Sequence, residues 1–201
     1  MVQQDNRVIL FGGTFDPPHV GHLLMAQLAL EQSAATTVWF LPSPSPPHKR
    51  QERVTDYQIR KEMVAALIYG YDGLVLTPFE EQLDSPYYTV DTVHACQSQF
   101  PGHRFVFLIG SDSLIQLPTW KDTRTLTHSI EFLVAARSGY PYYKTLHQVQ
   151  QALPGLRAKL LEMPLLDVSS SFLRPRLLAQ KPTCGLVPDA VLEVWKKWHE
   201  Q

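Results

Sequence analysis

The sequence predicts an α/β protein with a doubly wound parallel sheet, and two patterns carry this prediction. Short apolar runs rich in Val, Ile, Leu and Phe alternate with segments whose apolar residues recur every three or four positions. Parallel strands need helical crossovers, so this alternation favours a Rossmann-like βαβ arrangement. The 201 residues fit a single domain, in which the residues from about 165 onward form a C-terminal helical part.

The predicted elements follow in order along the chain. Strands are expected at Arg7–Phe11, Thr37–Leu41, Leu74–Thr77, Arg104–Ile109 and Ile130–Ala136. Helices are expected at Gly21–Ser33, Asp56–Tyr69 and Thr89–Gln99, with Asp56 and Thr89 as N-caps, and near Ser170–Gln180 and Pro188–Glu200. A proline-rich stretch at 42–50 follows the second strand, where α/β sheets place ligand loops, and 139–155 has the pattern of a helical linker.

The bulk composition excludes several classes of protein. The chain is 44% hydrophobic and 18% charged, which is typical of a globular protein. Its net charge of −1 supplies no field that would attract nucleic acid, so a phosphate ligand must be held by local donors. Cys96 and Cys184 are too few for a disulfide framework or a zinc site. With no signal segment and no membrane span in the sequence, we expect a cytoplasmic protein that binds neither nucleic acid nor membrane.

The first predicted strand runs into a motif suited to an anion: Phe11-Gly12-Gly13-Thr14-Phe15-Asp16-Pro17-Pro18-His19-Val20-Gly21-His22. Gly12 and Gly13 allow close approach of the backbone to a ligand, because no Cβ intervenes. His19 and His22 are three residues apart at a helix start, so both rings lie on one face beside free N–H groups. The run matches neither of the familiar phosphate-loop patterns. It indicates an anion site of another kind.

Two other interpretations of the histidine pair stay open at this point. The pair could be half of a metal site, as in a metal-dependent hydrolase, although no third and fourth ligand stands at an obvious spacing. A lone buried histidine is more often structural than functional. Two histidines flanking a glycine in the first βα turn favour a role toward a ligand.

The motif closely resembles the signature of the adenylyltransferases of NAD and coenzyme A synthesis, within the H-x-G-H nucleotidyltransferase superfamily. The resemblance implies that His19 and His22 contact ATP phosphates and stabilise charge at the α-phosphorus, without a covalent enzyme intermediate. It also implies that Gly12, Gly13, Thr14 and Phe15 belong to the ATP site.

A second segment resembles the C-terminal signature of the same family, Val168-Ser169-Ser170-Ser171-Phe172-Leu173-Arg174. Ser169 and Ser170 could donate hydrogen bonds at a helix N-terminus, and Arg174 could clamp the β- and γ-phosphates. This makes the C-terminal part a phosphate-binding element. Pro175 follows Arg174 directly, so we expect a kink or a late helix start there.

The middle of the chain resembles nicotinate-nucleotide adenylyltransferases, so that the likeness spans roughly residues 8 to 191. The segments that carry it are Pro46–Lys49, Tyr88–Thr92, Leu108–Leu114, Trp120 and Phe132–Arg137. By this resemblance Trp120 stacks on the pyridine ring, backbone around Tyr88 and Thr89 receives the ring carboxylate, and Arg137 holds the mononucleotide phosphate. Gly110 and Asp112 approach the adenosine ribose, and His48 and Lys49 bring positive charge from a loop.

The resemblance implies transfer of AMP from ATP to nicotinate mononucleotide, giving deamido-NAD and pyrophosphate, with Mg²⁺ bound to the triphosphate. Three rivals remain. The acceptor could be nicotinamide mononucleotide or phosphopantetheine, the protein could bind nucleotides without catalysis, or the histidine pair could serve a metal-dependent hydrolase. The sequence leaves the oligomeric state open, a homo-oligomer included.

Overall fold

The structure, a computed structural model, describes residues 6–45 and 54–199. Within them, six strands form one sheet: β1 (Arg7–Gly13), β2 (Thr37–Pro42), β3 (Leu74–Leu76), β4 (Arg104–Gly110), β5 (Glu131–Ala135) and β6 (Ala158–Leu161). The strand order is β3-β2-β1-β4-β5-β6, and every neighbouring pair is parallel. This is the order of the classical doubly wound fold, so the predicted fold class is confirmed.

The helices connect successive strands and cover both faces of the sheet. They are α1 (Val20–Ser33), α2 (Tyr57–Ile68), α3 (Thr89–Gln99), α4 (Ser111–Gln116), α5 (Thr123–Ser129), α6 (Tyr142–Ala152), α7 (Ser170–Leu178) and α8 (Asp189–His199) in the described part of the chain. Short 3-10 turns occur at Phe79–Gln82 and Leu117–Thr119.

Alternation along the strands divides the core into two layers. In β1, Ile9 and Phe11 pack with α1, α2 and α8, whereas Val8 and Leu10 pack with α3, α5 and α6. Side chains of a strand point to opposite faces in turn, so an uninterrupted apolar run fills both layers. Residues of α7 and α8 belong to the first layer, and Val20 N–H donates to Leu186 O at the start of α1. The single-domain organisation stays a prediction.

Several boundaries differ from the sequence-based predictions. The strand at Ala158–Leu161 and the short helices α4 and α5 were not predicted. Each is seven residues or shorter, which is too short to show a clear period.

One local prediction about helix ends was wrong. Thr89 is not an N-cap: α3 begins at Thr89, and Tyr88 precedes it without a side-chain cap. A kink or a late helix start was expected at Pro175; the late start does not occur, because α7 begins at Ser170 and contains Pro175, and the kink stays a prediction. By contrast Asp56 caps α2, where its carboxylate accepts from Gln58 N–H.

No helix in residues 6–45 and 54–199 combines the length and the apolar character needed to cross a membrane.

Candidate active site

A cavity of about 390 Å³ opens at the carboxyl ends of β1 and β4. The β1–β2 ladder continues to Gly13 and Pro42, whereas the β1–β4 ladder ends at Leu10 and Phe107. Strands β1 and β4 therefore diverge beyond Leu10 and Phe107. They also stand where the strand order reverses, which is where open α/β sheets bind their ligands. The volume suits a small organic ligand.

Most of the predicted site residues line this cavity, namely Gly12, Gly13, Thr14, His19, His22, Tyr88, Thr89, Gly110, Asp112, Trp120, Arg137, Ser169 and Ser170. Phe15 and Arg174 are described but do not line it. His48 and Lys49 lie outside the described residues. The fold thus brings both terminal motifs and the middle segments to one place, while the individual roles stay predictions.

His19 and His22 stack against each other at the start of α1, with ring centroids 3.8 Å apart. His19 is the N-cap, and its Nδ1 accepts from Gly21 N–H at 3.2 Å. His22 Nδ1 accepts from the His19 N–H at 3.2 Å, which completes a reciprocal capping box. Because both Nδ1 atoms accept, a neutral ring carries its proton on Nε2. The pair therefore presents two Nε2–H donors to the cavity that it lines.

The surroundings of the pair hold both imidazoles neutral. Burial, together with a smaller effect of the positive charge of Arg137, lowers the pKa of His19 from 6.5 to about 3. Burial, followed by His19 and Arg137, also lowers the pKa of His22 well below 6.5. A bound polyanion would oppose the effect of Arg137, since negative charge favours the imidazolium.

Arg137 lies at the end of β5 and brings its guanidinium to the histidines. Its Nη1 donates to Val168 O at 2.8 Å, and its backbone N–H donates to the Ser111 hydroxyl at 2.8 Å. The Nε atom is buried without a hydrogen-bond partner in the described part of the chain. A half-buried guanidinium that forms no salt bridge among the described residues is suited to an anionic ligand.

The serine motif begins α7 at the edge of the same cavity. Ser169 is the N-cap, and its side chain accepts from Phe172 N–H at 3.2 Å. The Ser170 hydroxyl donates to Pro17 O at 2.8 Å, which links α7 to the loop before α1. The N-terminus of α1 and that of the nine-residue helix α7 therefore meet at one end of the cavity. Helix N-termini favour negative charge, so this end suits an anion.

Arg174 pairs with Asp16 and is not one of the residues that line the cavity. Its Nη1 donates to Asp16 Oδ2 at 3.0 Å, and the Arg174 side chain is 21% exposed. Asp16 is buried, and its Oδ2 also accepts from Thr55 N–H at 3.0 Å.

Gly110 and Phe15 show how tightly the walls are packed. A Cβ at Gly110 would collide with Oδ1 of Asp112 and would lie 3.2 Å from Nε of Arg137. Phe15 is buried, and its ring packs against His22 with centroids 5.0 Å apart. Its side chain therefore supports the histidine rather than facing the cavity.

The other end of the cavity is aromatic. Trp120 is half-buried and lies edge-on to Phe107, with centroids 6.4 Å apart. Tyr88 and Thr89, at the start of α3, also line the cavity. The N–H groups of a first helical turn have no partner within the helix, so they face outward as donors. This end suits a flat ring that carries an acceptor group.

Sequence reasoning missed several residues of the site, among them three with polar or charged side chains. Ser43, Glu80 and Lys121 line the cavity, and Glu80 Oε1 accepts from the Thr92 hydroxyl at 2.9 Å. Burial raises the pKa of Glu80, and its Oε2 has no partner among the described residues. No pattern in the sequence marks these three.

Arg60 was also missed, and it supports the backbone next to the site without lining the cavity. It is 1% exposed and donates to the backbone carbonyls of Thr14, Thr55, Ser43 and Pro44. A signal was available, because Arg60 stands one helical turn before Met63 and Val64 on the buried face of α2.

Comparison with known proteins agrees with this geometry. Residues 10–176 match the family described as cytidylyltransferase-like. The nicotinate-nucleotide adenylyltransferase of Bacillus subtilis (strain 168) is 37% identical over 195 residues, which cover 97% of this chain and 96% of that protein. A probable nicotinate-nucleotide adenylyltransferase of Exiguobacterium sibiricum is 39% identical over 194 residues, covering 96% of this chain and 97% of the relative.

A solved structure supports the fold. The Plasmodium falciparum nicotinic acid mononucleotide adenylyltransferase complexed with NaAD superposes with a TM-score of 0.79 at 17% identity, covering 97% of this chain and 98% of that chain. With the family match and two full-length relatives above 30% identity, this chain belongs to the nicotinate-nucleotide adenylyltransferase family of cytidylyltransferase-like nucleotidyltransferases.

Proposed function

We propose that this protein transfers the adenylyl group of ATP to nicotinate mononucleotide. A phosphate oxygen of the mononucleotide attacks the α-phosphorus and forms the new P–O bond. The bond from the α-phosphorus to the bridging oxygen breaks, and pyrophosphate leaves with the electron pair. The products are deamido-NAD and pyrophosphate. A phosphate monoester is already a nucleophile, so the protein contributes position and charge rather than a strong base.

One observation carries the proposal: a single cavity joins a phosphate-binding end to an aromatic end. The histidine pair, Arg137 and the start of α7 form the first end, and Trp120 with the start of α3 forms the second. A mononucleotide has a phosphate at one end and a flat ring at the other, so it has a group suited to each end of the cavity. The names of the relatives in the same family point to the same acceptor.

The histidines act as hydrogen-bond donors in this mechanism. Neutral rings whose Nδ1 atoms accept from backbone N–H groups place Nε2–H toward the non-bridging oxygens of the α-phosphate. Charge grows on those oxygens as the acceptor attacks, so the two hydrogen bonds strengthen in the transition state. Arg137, which acts on both histidines electrostatically, is placed to hold the attacking phosphate beside them.

Magnesium belongs to the proposal as a companion of ATP. In the described part of the chain, no three His, Cys, Asp or Glu side chains are grouped to hold a metal ion. The phosphate-binding end offers nitrogen donors, which suit phosphate oxygens better than bare Mg²⁺. Triphosphate oxygens and water would therefore hold the ion, which when bound reduces the charge of the leaving pyrophosphate.

The test is pyrophosphate release from MgATP with each acceptor in turn: nicotinate mononucleotide, nicotinamide mononucleotide and phosphopantetheine. We expect the first to give the fastest release, and His19→Ala to abolish most of it. Pyrophosphate or phosphate release without any acceptor would favour a hydrolase instead. Binding of ATP without turnover on any acceptor would favour a non-catalytic nucleotide-binding protein.

We infer that the protein works in the cytoplasm on free nucleotides, and that it does not bind nucleic acid. A homo-oligomer is also proposed, and light scattering after size-exclusion chromatography would test it.

A further inference from the structure

Lys121 places a positive charge at the aromatic end of the cavity. It follows Trp120 directly, lines the cavity and is exposed. Its Nζ lies 5.1 Å from the centroid of the Tyr88 ring, which is a cation–π distance. Tyr88 immediately precedes α3. The ammonium group and the N-terminus of an eleven-residue helix therefore meet at one wall.

The ammonium of Lys121 is available to a ligand. It forms no salt bridge with a carboxylate in residues 6–45 and 54–199. The acidic side chains that line the cavity are Glu80 and Asp112. Glu80 is buried and accepts a hydrogen bond from the Thr92 hydroxyl. The Asp112 carboxylate lies next to Gly110, near Nε of Arg137. Neither is paired with Lys121, which leaves its charge to act on whatever occupies the aromatic end.

We propose that Lys121 is a specificity-determining residue that selects an acceptor ring bearing a carboxylate over one bearing a neutral amide. This inference rests on the proposed function. A ring stacked on Trp120, with its substituent near Tyr88 and Thr89, brings that substituent close to Lys121 Nζ. A carboxylate gains attraction from the ammonium group, whereas an amide of the same shape gains almost none.

The acceptor pair isolates this effect. Nicotinate and nicotinamide mononucleotides carry the same ribose phosphate and the same positively charged ring. The ratio of their kcat/KM values therefore reports the ring substituent alone. Contacts to the phosphate, to ATP and to the face of Trp120 cancel from the ratio.

The experiment compares wild-type protein with Lys121→Met, Lys121→Arg and the control Lys159→Met. Lys159 is 71% exposed on β6 and pairs with Glu131, away from the cavity. We expect Lys121→Met to lower kcat/KM for nicotinate mononucleotide about fivefold to twentyfold, the range for one partly solvated charge pair. The value for nicotinamide mononucleotide should stay within about threefold, since the amide gains almost nothing from that charge. Lys121→Arg and Lys159→Met should keep the wild-type preference.

Salt supplies a second readout. High ionic strength should reduce the ratio of the two kcat/KM values in the wild-type protein, because salt screens the attraction between Lys121 and the ring carboxylate. The ratio in Lys121→Met should stay nearly unchanged, because this variant lacks that attraction. Equal losses on both acceptors, or an unchanged ratio in Lys121→Met, would overturn the inference while leaving the adenylyltransferase intact. Wild-type protein that releases pyrophosphate with neither acceptor would overturn the proposed function and this inference together.

Discussion

Arg174 donates a 3.0 Å hydrogen bond to Asp16, a residue 158 positions earlier, and so joins the two sequence motifs. Asp16 is buried, so Arg174 compensates a carboxylate that has one further partner, Thr55 N–H. A guanidinium has five N–H donors, and only Nη1 of Arg174 is bonded to Asp16 among the described residues. The same side chain can therefore hold Asp16 and a triphosphate oxygen together.

We predict that Arg174→Ala impairs the use of ATP far more than the use of the mononucleotide. Loss of a charge-assisted contact should raise KM for ATP roughly tenfold or more and change KM for the acceptor by less than about threefold. Steady-state kinetics with each substrate varied in turn would measure both. Arg174→Lys is the matched control, since it keeps a positive charge beside Asp16. Equal changes in the two Michaelis constants with unchanged turnover would contradict the assignment.

His19→Ala and His22→Ala should each lower kcat at least about a hundredfold, the usual loss when one transition-state donor is removed. Both rings line the cavity through the same helix turn, so neither should substitute for the other. His94→Ala, on the exposed side of α3, is the control and should be fully active. Circular dichroism would show whether each variant is folded. Near-normal turnover in a folded variant would remove that histidine from the mechanism.

The histidine pair also predicts a dependence of stability on pH. The pKa of His19 in the folded protein is about 3, below the 6.5 of the free side chain, so the unfolded chain binds more protons between these values. The contribution of the neutral His19 to the free energy of unfolding is therefore fully present above pH 6.5 and is lost as the pH falls toward 3. The loss is at most about 1.4 kcal/mol per pH unit for each histidine.

Urea unfolding at a series of pH values would measure this loss. The double variant His19→Asn, His22→Gln is the control, because Asn and Gln keep the capping box without a titrating group. Its unfolding free energy should fall less steeply with acid than that of the wild type. Parallel curves for the two proteins would show that the pair does not titrate in this window.

The preference for the acceptor ring should be strong and independent of stacking. Backbone N–H donors near Tyr88 and Thr89 gain charge-assisted bonds from a carboxylate, whereas they face an amide NH₂ with nothing to accept. Two such mismatches give a preference on the order of a hundredfold in kcat/KM for nicotinate mononucleotide.

Trp120→Ala should lower kcat/KM for both acceptors alike, because both rings present the same face to the indole. Assays with the two mononucleotides would measure wild type and variant side by side. Comparable kcat/KM values in the wild-type protein would contradict the specificity and leave adenylyl transfer standing.

The sequence was most informative where residues follow a period or a motif. The apolar runs of β1, β2 and β4 and the helix pattern of α1 located the sheet, and the first motif located the cavity. The short edge strand at Ala158–Leu161 was not predicted, because four residues are too few to show a clear hydrophobic period. Glu80 and Lys121 were not predicted as site residues for a different reason, because tertiary packing alone brings them to the cavity wall.

The partner of Arg174 was equally beyond reach of sequence reasoning. The motif suggested a phosphate ligand, and nothing in the residue pattern pointed to Asp16 as a hydrogen-bond partner of Arg174. Long-range pairs of this kind depend on the fold, not on spacing along the chain.

Arg60 has a consequence for how the protein could be re-engineered. Its guanidinium holds the carbonyls of Ser43 and Pro44 on one side of the proline-rich stretch and that of Thr55 on the other. The same group holds Thr14 next to the glycines. One side chain thus anchors three backbone segments, and one of them belongs to the first motif. A redesign of the acceptor site should therefore keep Arg60, because its removal would release all three segments at once.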